Sequence, residues 1–579
     1  LWIGAAVRAS VSAILLGLSI FWNKGKAGAI RLGIDRDGAL AAAGPSRGFV
    51  IALSIILVAA LVMRFPRMTH SLWGDEADAV SIYVQGTYKS VDKNNSQGAL
   101  EFSPPDWNET FFGAVHGPNN HVLFSVLSRL SLDAWRVVTR QSGDAFTEWV
   151  ARIPSLAGGL LSIVALALLM RRWGAGWPGL LAVAFMALHP WHVRYSTEAR
   201  GYGLMLGLFP LWLLALTNAL ESNRWRHWAA FGALEFLLMY SWAGIFYAVA
   251  AVNITALVLM LCHEGRVAFV VRWLTVNLAA AGVFASLYAP LLPQIARARE
   301  RLLWIKGKPM DEQWLHDILI MPFTGAPFHQ IMADNPAEAS LQASFASMPL
   351  LTVAGCALMA LLLIGGIVFF WWSNRRATAL LLSVCAAAVA CTLHFKFGIK
   401  DEMRGWYLIF LLPASSIFLA FGALAITDRL RPAMLRRAAP LLCLGVIGAS
   451  WWPLDRSLMQ LPEEDYLNAV KVTRGRHEVF SPKGTSRVFT CWLWRYSAFY
   501  DPRGDHHVRD ATALRQRMDE TKKAHGELYV IVGYRQWAEV SNADMLRLLE
   551  DPTLFEKRET FPARESLHSL DVYRMKNAD

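Results

Sequence analysis

Uncharged stretches of about 17 to 25 residues recur along this chain, and each is long enough to cross the hydrocarbon core of a bilayer as a helix. The clearest lie at 153–170, 201–220, 273–293, 347–372, 377–393 and 405–427, with weaker ones at 49–63, 178–191 and 438–452. The uncharged stretch 236–262, with the residues before it, has room for two crossings and a turn near Tyr240 and Ser241. We predict a polytopic α-helical membrane protein with about 10 to 13 transmembrane helices.

The composition and charge agree with this class. Of the 579 residues, 55% are apolar and only 17% charged, which excludes an ordinary soluble enzyme. A net charge of +11 permits a nucleic-acid partner, but short arginine clusters between apolar runs are typical of cytoplasmic loops instead. The clusters are Arg171 and Arg172, Arg375 and Arg376, and Arg429, Arg431, Arg436 and Arg437.

If these clusters face the cytoplasm, the loops 64–120 and 291–346, the segment around Glu198 and the tail after Trp452 face the other side. An odd number of crossings must then separate residues 75–76 from the arginines at 171–172. We therefore expect the apolar segment Val122–Leu132 to lie along the interface and not to cross.

We divide the chain into an N-terminal apolar segment with a basic linker (1–44), a transmembrane domain (45–453) and a water-facing domain (454–579). Residues 1–22 could be an extra span or a signal-like segment. In the last domain, strand-like runs at 486–490, 527–532 and 570–574 alternate with helical patterns at 511–523 and 542–549, so we predict a small α/β fold. The six cysteines indicate no disulfide framework or CxxC metal site, and no nucleotide-binding motif occurs.

An adjacent acid pair, Asp75 and Glu76, follows the span at 49–63. A carboxylate held where lipid meets water can accept a proton from a hydroxyl or bind a cation, so the pair marks a candidate reaction centre. The structural alternative is a pair that caps a short helix, with Gly74 at the turn and the acids in its first turn.

Three further polar clusters lie beside apolar runs on the same predicted side. They are His116 with Asn119, Asn120 and His121; Glu198, Arg200 and Tyr202 in the stretch 195–202; and Lys400, Arg404 and Tyr407 in the stretch 395–407. Cations at the start of a span suit a phosphate at the headgroup level, although they also serve as interfacial anchors.

Taken in order, these clusters resemble the membrane-embedded C-type glycosyltransferases related to protein O-mannosyltransferases and to the aminoarabinose transferase of lipid A. The shared elements are Asp75-Glu76, His116-Gly-Pro118, Arg152-Ile-Pro-Ser155 with Gly158, Ser196-x-Glu-Ala-Arg-x-Tyr202, and Arg404-x-x-Tyr-Leu408 ending near Pro413. Many relatives have His-Pro-Pro where this chain has His-Gly-Pro-Asn-Asn, and Arg-Tyr where it has Arg-Gly-Trp-Tyr. These departures leave the acceptor subgroup open.

The resemblance implies a C-type glycosyltransferase fold and inverting transfer of a hexosyl or pentosyl group from a polyprenyl-phosphate donor to a hydroxyl of a protein, lipid or glycan. It implies an enzyme of the cell membrane, here expected in a bacterial inner membrane with residues 454–579 extracytoplasmic. Asp75 would be the general base, and Glu76 would orient the acceptor or share this positioning role. The remaining roles would be donor-phosphate binding by Arg200, Lys400, Arg404 and Tyr407, and substrate binding by His116, Asn119, Asn120, Glu198 and Tyr202.

A divalent cation (Mg, Mn or Zn) on Asp75, Glu76 and His116 is a further expectation for some relatives. The competing function is that of a transporter or flippase for a lipid-linked saccharide, which would predict internal repeats and mid-span charges that the sequence does not show. A non-catalytic membrane scaffold is a third. The aromatic stretch Trp492, Trp494, Arg495 and Tyr496 could stack on a carbohydrate or belong to the core of the C-terminal domain.

Overall fold

The computed structural model describes most of the chain. The described residues are 29–33, 45–90, 100–113, 120–293, 310–325, 349–399, 403–427, 430, 432–474, 486–491, 500, 505–564 and 566–576. All statements below refer to these residues. The segment 1–22, for which a span was considered, lies outside them.

Nine helical segments in the described ranges are long and apolar enough to cross a membrane. They are Arg47–Thr69, Glu148–Arg172, Tyr202–Ser222, Ala243–Leu261, Arg266–Leu291, Ala354–Ser373, Arg375–Ile399, Gly405–Thr427 and Ala438–Gln460. In chain order, the α-helices of this part are α1 Arg47–Arg64, α2 Gly74–Val80, α3 Trp107–Phe112, α4 Val122–Thr139, α5 Glu148–Arg172, α6 Gly176–Leu188, α7 Pro190–Tyr195, α8 Tyr202–Ser222, α9 Trp225–Ser241, α10 Phe246–Leu261, α11 Arg266–Tyr288, α12 Glu312–Thr324, α13 Pro349–Ser373, α14 Arg375–Leu393, α15 Leu412–Thr427 and α16 Ala433–Gln460.

Two shorter helices complete the bundle. Helix α6 starts just after the arginines at the end of α5 and ends where the Arg64 guanidinium donates to the Ala187 carbonyl, 2.9 Å away. Helix α9 starts beside Asn223 and ends at Ser241, where the ring of Trp242 packs on Tyr202. Both helices run between the two ends of the bundle, and the predicted turn falls at Ser241; the helices long and apolar enough to span number nine in the described residues, against a prediction of about 10 to 13. We call the end that holds Asp75 and Glu76 the acid-pair end, and the other the opposite end.

Helices α5 and α8 pack backbone to backbone because glycines face each other. A Cβ on Gly158 would lie 2.5 Å from the Gly203 carbonyl oxygen, and one on Gly207 would lie 2.5 Å from that of Gly158. Such contacts leave no space for any other residue, as in membrane helix pairs built from small residues. The pairing fixes the start of α5, which carries Arg152, against the start of α8.

Helix α4 is amphipathic and is not among the segments apolar enough to span. It buries Val122, Phe124 and Leu132 while it exposes Val137 and Val138. This agrees with the prediction that Val122–Leu132 lies along the interface, and it leaves α5 as the single crossing between the acid pair and Arg171.

The C-terminal region forms a mixed sheet. The chain enters it through α17 Tyr466–Arg474, and its strands are β3 Ser486–Cys491, β4 Asp505–His507, β5 Glu527–Val532, β6 Phe555–Phe561 and β7 Leu570–Met575, after a separate hairpin of β1 Thr87–Ser90 and β2 Leu100–Ser103. The spatial order is β4-β3-β5-β7-β6, with β3 parallel to β4 and β5, and β7 antiparallel to β5 and β6. Helices α18 Ala511–Lys523, α19 Arg535–Ser541 and α20 Ala543–Leu549 complete it. The predicted small α/β fold is confirmed.

Candidate active site

The acid pair begins the short helix α2, as the capping alternative anticipated, but the two acids differ in their surroundings. The Glu76 carboxylate turns back and accepts from the Trp73 backbone N–H at 3.2 Å, which is a capping-box contact at the third helical residue. The Asp75 side chain is half-buried, whereas Glu76 is only 1% exposed. The pair therefore divides into a buried and an accessible carboxylate.

Arg152, at the start of α5, holds Glu76. Its Nε lies 2.9 Å from Glu76 Oε1 and its second terminal nitrogen 2.6 Å from Oε2, a bidentate ion pair out of solvent. The Ala199 backbone N–H also donates to Oε1, at 2.5 Å. Arg152 also donates to the His70 carbonyl at 2.6 Å, so a single guanidinium connects the loop before Asp75 to α5.

Asp75 faces the segment 198–202. An Arg200 guanidinium nitrogen lies 3.2 Å from the Asp75 backbone carbonyl, and the Asp75 charge acts on Arg200 and Tyr202. Burial disfavours the charged guanidinium, but Tyr202 and Asp75 outweigh it and raise the pKa of Arg200. Among the described residues, none donates a hydrogen bond to the Asp75 carboxylate, so its oxygens remain available to a substrate.

His121 lines the same place, just before α4. Its Nδ1 accepts from the Gly201 backbone N–H at 2.8 Å, its Nε2 lies 3.3 Å from Arg200, and its ring packs on Tyr202. Burial and the Arg200 charge hold the pKa of His121 well below its usual range, so the ring is neutral.

Aromatic rings extend from this point along the acid-pair end. Tyr202 packs on Trp242 at 5.7 Å between ring centroids, and Trp242 lies 6.5 Å from Tyr407. Tyr407 sits in the 3-10 turn Gly405–Leu411, and Arg404 directly precedes this turn. Arg404 is exposed, and its guanidinium lies 5.2 Å from the Trp406 ring centre. The structure thus brings Asp75, Arg200, Tyr202 and Tyr407 into one row, with Arg404 at its solvent-facing margin.

Glu198 belongs to a buried ionic cluster instead of facing Asp75. Arg194 Nε lies 2.7 Å from Glu198 and 3.6 Å from Glu463, and Arg564 Nε lies 2.9 Å from Glu463. Burial, with the Glu76 and Glu463 charges, raises the pKa of Glu198 against the opposing effect of Arg194. Burial alone would raise the pKa of Glu463, but Arg194 and Arg564 hold it well below its usual range. This cluster joins the 194–198 segment to the C-terminal domain.

Asn120 is also committed to the fold. Its amide donates to the Thr110 carbonyl at 2.8 Å and accepts from the Ser125 hydroxyl at 2.6 Å, within a buried environment. His116, Asn119 and Lys400 lie outside the described residues, as do Trp492, Trp494, Arg495 and Tyr496.

The residues around the acid pair do not fit a metal ion held through Glu76. Four donor groups already occupy its two oxygens, namely two nitrogens of Arg152 and the backbone N–H groups of Trp73 and Ala199. Within the described ranges, no group of three or more His, Cys, Asp or Glu residues could hold a metal. A metal held by Asp75 with His116 stays a prediction, because His116 lies outside the described residues.

The sequence reasoning gave no role to His121, Arg152, Arg194 or Glu463. Arg152 and His121 lie within the polar stretches 152–155 and 116–121. An arginine near the start of a span is a detectable signal, because a charge there needs a partner. Arg194 and Glu463 are 269 positions apart by their numbering, and their 3.6 Å contact depends on the fold.

Together, the fold and the site define a polytopic membrane protein with an accessible carboxylate, cations and tyrosines at one membrane surface, covered by an α/β domain. The model of the dolichyl-phosphate-mannose-protein mannosyltransferase family matches residues 136–291, about a quarter of the chain. That stretch includes Arg152, Glu198, Arg200 and Tyr202. The match confirms the resemblance inferred from the sequence motifs.

Among solved structures, ArnT from Cupriavidus metallidurans bound to undecaprenyl phosphate is 13% identical, with a TM-score of 0.46 and coverage of 91% of this chain and 97% of that one. The oligosaccharyltransferase AglB from Archaeoglobus fulgidus, in complex with an inhibitory peptide and a dolichol-phosphate, is 12% identical, with a TM-score of 0.41 and coverage of 85% and 70%. No curated protein matches the chain.

Proposed function

We propose that this protein is a membrane glycosyltransferase that moves a sugar from a polyprenyl-phosphate donor to an acceptor hydroxyl, with inversion at the anomeric carbon. The observation that carries the proposal is the Asp75 carboxylate, half-buried at the membrane surface, beside Arg200 and Tyr202 and without a described donor on its oxygens. The family match at 136–291 supports a lipid-phosphate sugar as donor.

In this reaction Asp75 is the general base. The acceptor hydroxyl attacks the anomeric carbon, its proton passes to Asp75, and the bond between that carbon and the phosphate oxygen breaks. The electron pair leaves with the polyprenyl phosphate. A single displacement of this kind inverts the configuration at the anomeric carbon.

The leaving phosphate needs fixed positive charge. Arg404 is the best-suited described cation, because it is exposed at the acid-pair end and directly precedes the turn that carries Tyr407. Arg200 is buried next to Asp75, where its charge can act on both the base and a nearby phosphate. Tyr407 lies between these cations along the aromatic row, and Lys400 is proposed for the same role from the sequence.

Glu76 acts as a positioning residue for Asp75. Its ion pair with Arg152 and its contact with Trp73 fix the first turn of α2, so the neighbouring carboxylate has a set direction. The rings of Tyr202, Trp242 and Tyr407, together with His121, would border the sugar. The Tyr202 ring packs on both His121 and Trp242.

We also propose that the acid-pair end and the C-terminal domain are extracytoplasmic. Arg171 and Arg172 end α5 and Arg375 and Arg376 begin α14, all at the opposite end of the bundle. Such arginines favour the cytoplasmic side.

The purified chain in lipid nanodiscs, supplied with polyprenyl-phosphate sugars or with nucleotide sugars, tests this function against the flippase alternative. We expect release of free polyprenyl phosphate and a new glycosidic bond, from the lipid-linked donors only. Use of nucleotide sugars would contradict the proposal. Transbilayer movement of an intact lipid-linked sugar in proteoliposomes, without bond cleavage, would favour the transporter function.

A further inference from the structure

A cavity that Asp75 does not line lies where the hairpin β1–β2, the segment before α5 and the C-terminal domain meet. Its volume is about 320 Å³, and Tyr88, Phe102, Phe146, Asp144, Glu148 and Lys471 are among the residues that line it. This is at the small end of the roughly 300–1,000 Å³ range of small-molecule sites. It has room for a compact polar ligand and not for a polyprenyl chain.

The walls of this cavity are built and fixed. Tyr88 packs edge-on against Phe102 with ring centroids 5.4 Å apart, and its hydroxyl hydrogen-bonds to Asp144. The Gln85 amide donates to the Asp144 carbonyl at 2.8 Å, and Arg136 Nε donates to the Ala145 carbonyl at 2.9 Å. These bonds hold the Asp144 loop against the hairpin before any ligand arrives.

Two contacts link the cavity to the elements that surround Asp75. One reaches the loop before Asp75, and the other reaches the first turn of α5. The Tyr500 hydroxyl, which lines it, accepts from the Leu72 backbone N–H at 2.7 Å, three residues before Asp75. Glu148, which hydrogen-bonds to Tyr500, lies one helical turn before Arg152, the partner of Glu76. A ligand here would touch the elements that orient the proposed base.

The lining selects the ligand class. Aromatic faces pack against the C–H faces of a sugar ring, while carboxylates accept hydrogen bonds from its hydroxyls. Among the described residues of the lining, two carboxylates, Asp144 and Glu148, stand against one lysine, Lys471, so their charges favour a neutral or cationic ligand over a phosphate. We propose that this cavity is a subsite for a neutral or amino-bearing saccharide of the acceptor, held while another of its hydroxyls reacts at Asp75. This rests on the proposed transfer function.

Saturation-transfer NMR on the full chain tests the subsite, in nanodiscs free of glycoside detergents, with methyl glycosides of mannose, glucose, galactose and N-acetylglucosamine as probes. We expect binding of at least one probe, with about tenfold weaker affinity in Asp144→Asn and in Glu148→Gln, because each loses a charge-assisted hydrogen bond. Glu539→Gln, an exposed carboxylate on α19, is the matched control and should bind as the wild type does.

The outcomes separate the subsite from the reaction. Asp75→Asn should lose transfer and keep probe binding. In an active protein, Glu148→Gln should raise KM for a saccharide acceptor and leave kcat unchanged. Absence of binding by every probe, or wild-type affinity in both Asp144→Asn and Glu148→Gln, would overturn the subsite even if transfer is robust. Probe binding by a chain that transfers no sugar would overturn the transfer function alone.

Discussion

The substitution Glu76→Gln removes the negative charge from the buried ion pair between Glu76 and Arg152. Glu76 is 1% and Arg152 4% exposed in their side chains, and their closest approach is 2.6 Å. Glutamine keeps the shape of glutamate, but its NH2 group replaces one acceptor oxygen and faces two of the four N–H groups that donate to Glu76. The change therefore removes the counter-charge of a buried guanidinium together with two accepted hydrogen bonds.

Breaking a buried ion pair from one side costs about 3–5 kcal/mol, because the remaining charge stays desolvated. Arg152 retains other acceptors, the Arg67 carbonyl at 2.9 Å and the His70 carbonyl at 2.6 Å. These partly offset the loss, so we expect the low end, about 3 kcal/mol of the free energy of unfolding. Asp75→Asn changes the adjacent carboxylate, which has no described donor and acts on the buried Arg200 by its charge alone, so it should cost less stability than Glu76→Gln.

Thermal unfolding of the two variants in nanodiscs, followed by the fluorescence of the 24 tryptophans, compares them directly. We expect a clear fall in apparent Tm for Glu76→Gln and a smaller one for Asp75→Asn. A Glu76→Gln protein as stable as the wild type would refute the assignment of Glu76 to positioning. An Asp75→Asn protein destabilised as much as Glu76→Gln would refute the division of labour between the two acids.

Three further changes test other parts of the account. Arg404→Glu should weaken polyprenyl-phosphate binding by about tenfold or more, whereas Arg375→Glu at the opposite end should not, as measured with vesicles that contain the lipid phosphate. Gly203→Ala places a methyl group against the Ser155 backbone on α5 and should cost about 1–3 kcal/mol of stability, while Gly365→Ala, which meets nothing within 4 Å, should be neutral. Because the pKa of Glu463 is depressed in the folded protein, its stabilising effect is complete above its ordinary value of 4.5 and is lost as pH falls below it. The stability difference between wild type and Glu463→Gln should shrink on acidification, and a difference independent of pH would contradict this.

Much of the fold could be predicted from the sequence because bilayer thickness sets the length of each span and leaves a clear apolar signal. The turn after α9 and the strands β5 and β7 fall where the residue patterns indicated. The strand β6 Phe555–Phe561 was missed, since four consecutive charged residues, EKRE at 556–559, mask the apolar–polar alternation. Helix α2 is too short to have a periodicity of its own.

The site was predictable in its parts and not in its pairing. The positions of Asp75, Arg200, Tyr202 and Tyr407 beside spans indicated one membrane surface, and the fold brings them into one row. Which acid would be buried could not be read from two adjacent carboxylates, because it depends on Arg152 arriving from α5. Glu198 was expected near the substrate; in the structure it pairs with Arg194, which also lies 3.6 Å from Glu463 at the start of the C-terminal region.

The rate of sugar transfer by Asp75→Asn tests the central claim most directly. Wild type, Asp75→Asn and Glu539→Gln would be compared in nanodiscs with a polyprenyl-phosphate sugar, an accepted acceptor and matched amounts of folded protein. Since a positioned general base contributes about 10²–10⁴-fold, we expect at least a hundredfold loss for Asp75→Asn and none for Glu539→Gln. Transfer by folded Asp75→Asn at close to the wild-type rate would contradict the account.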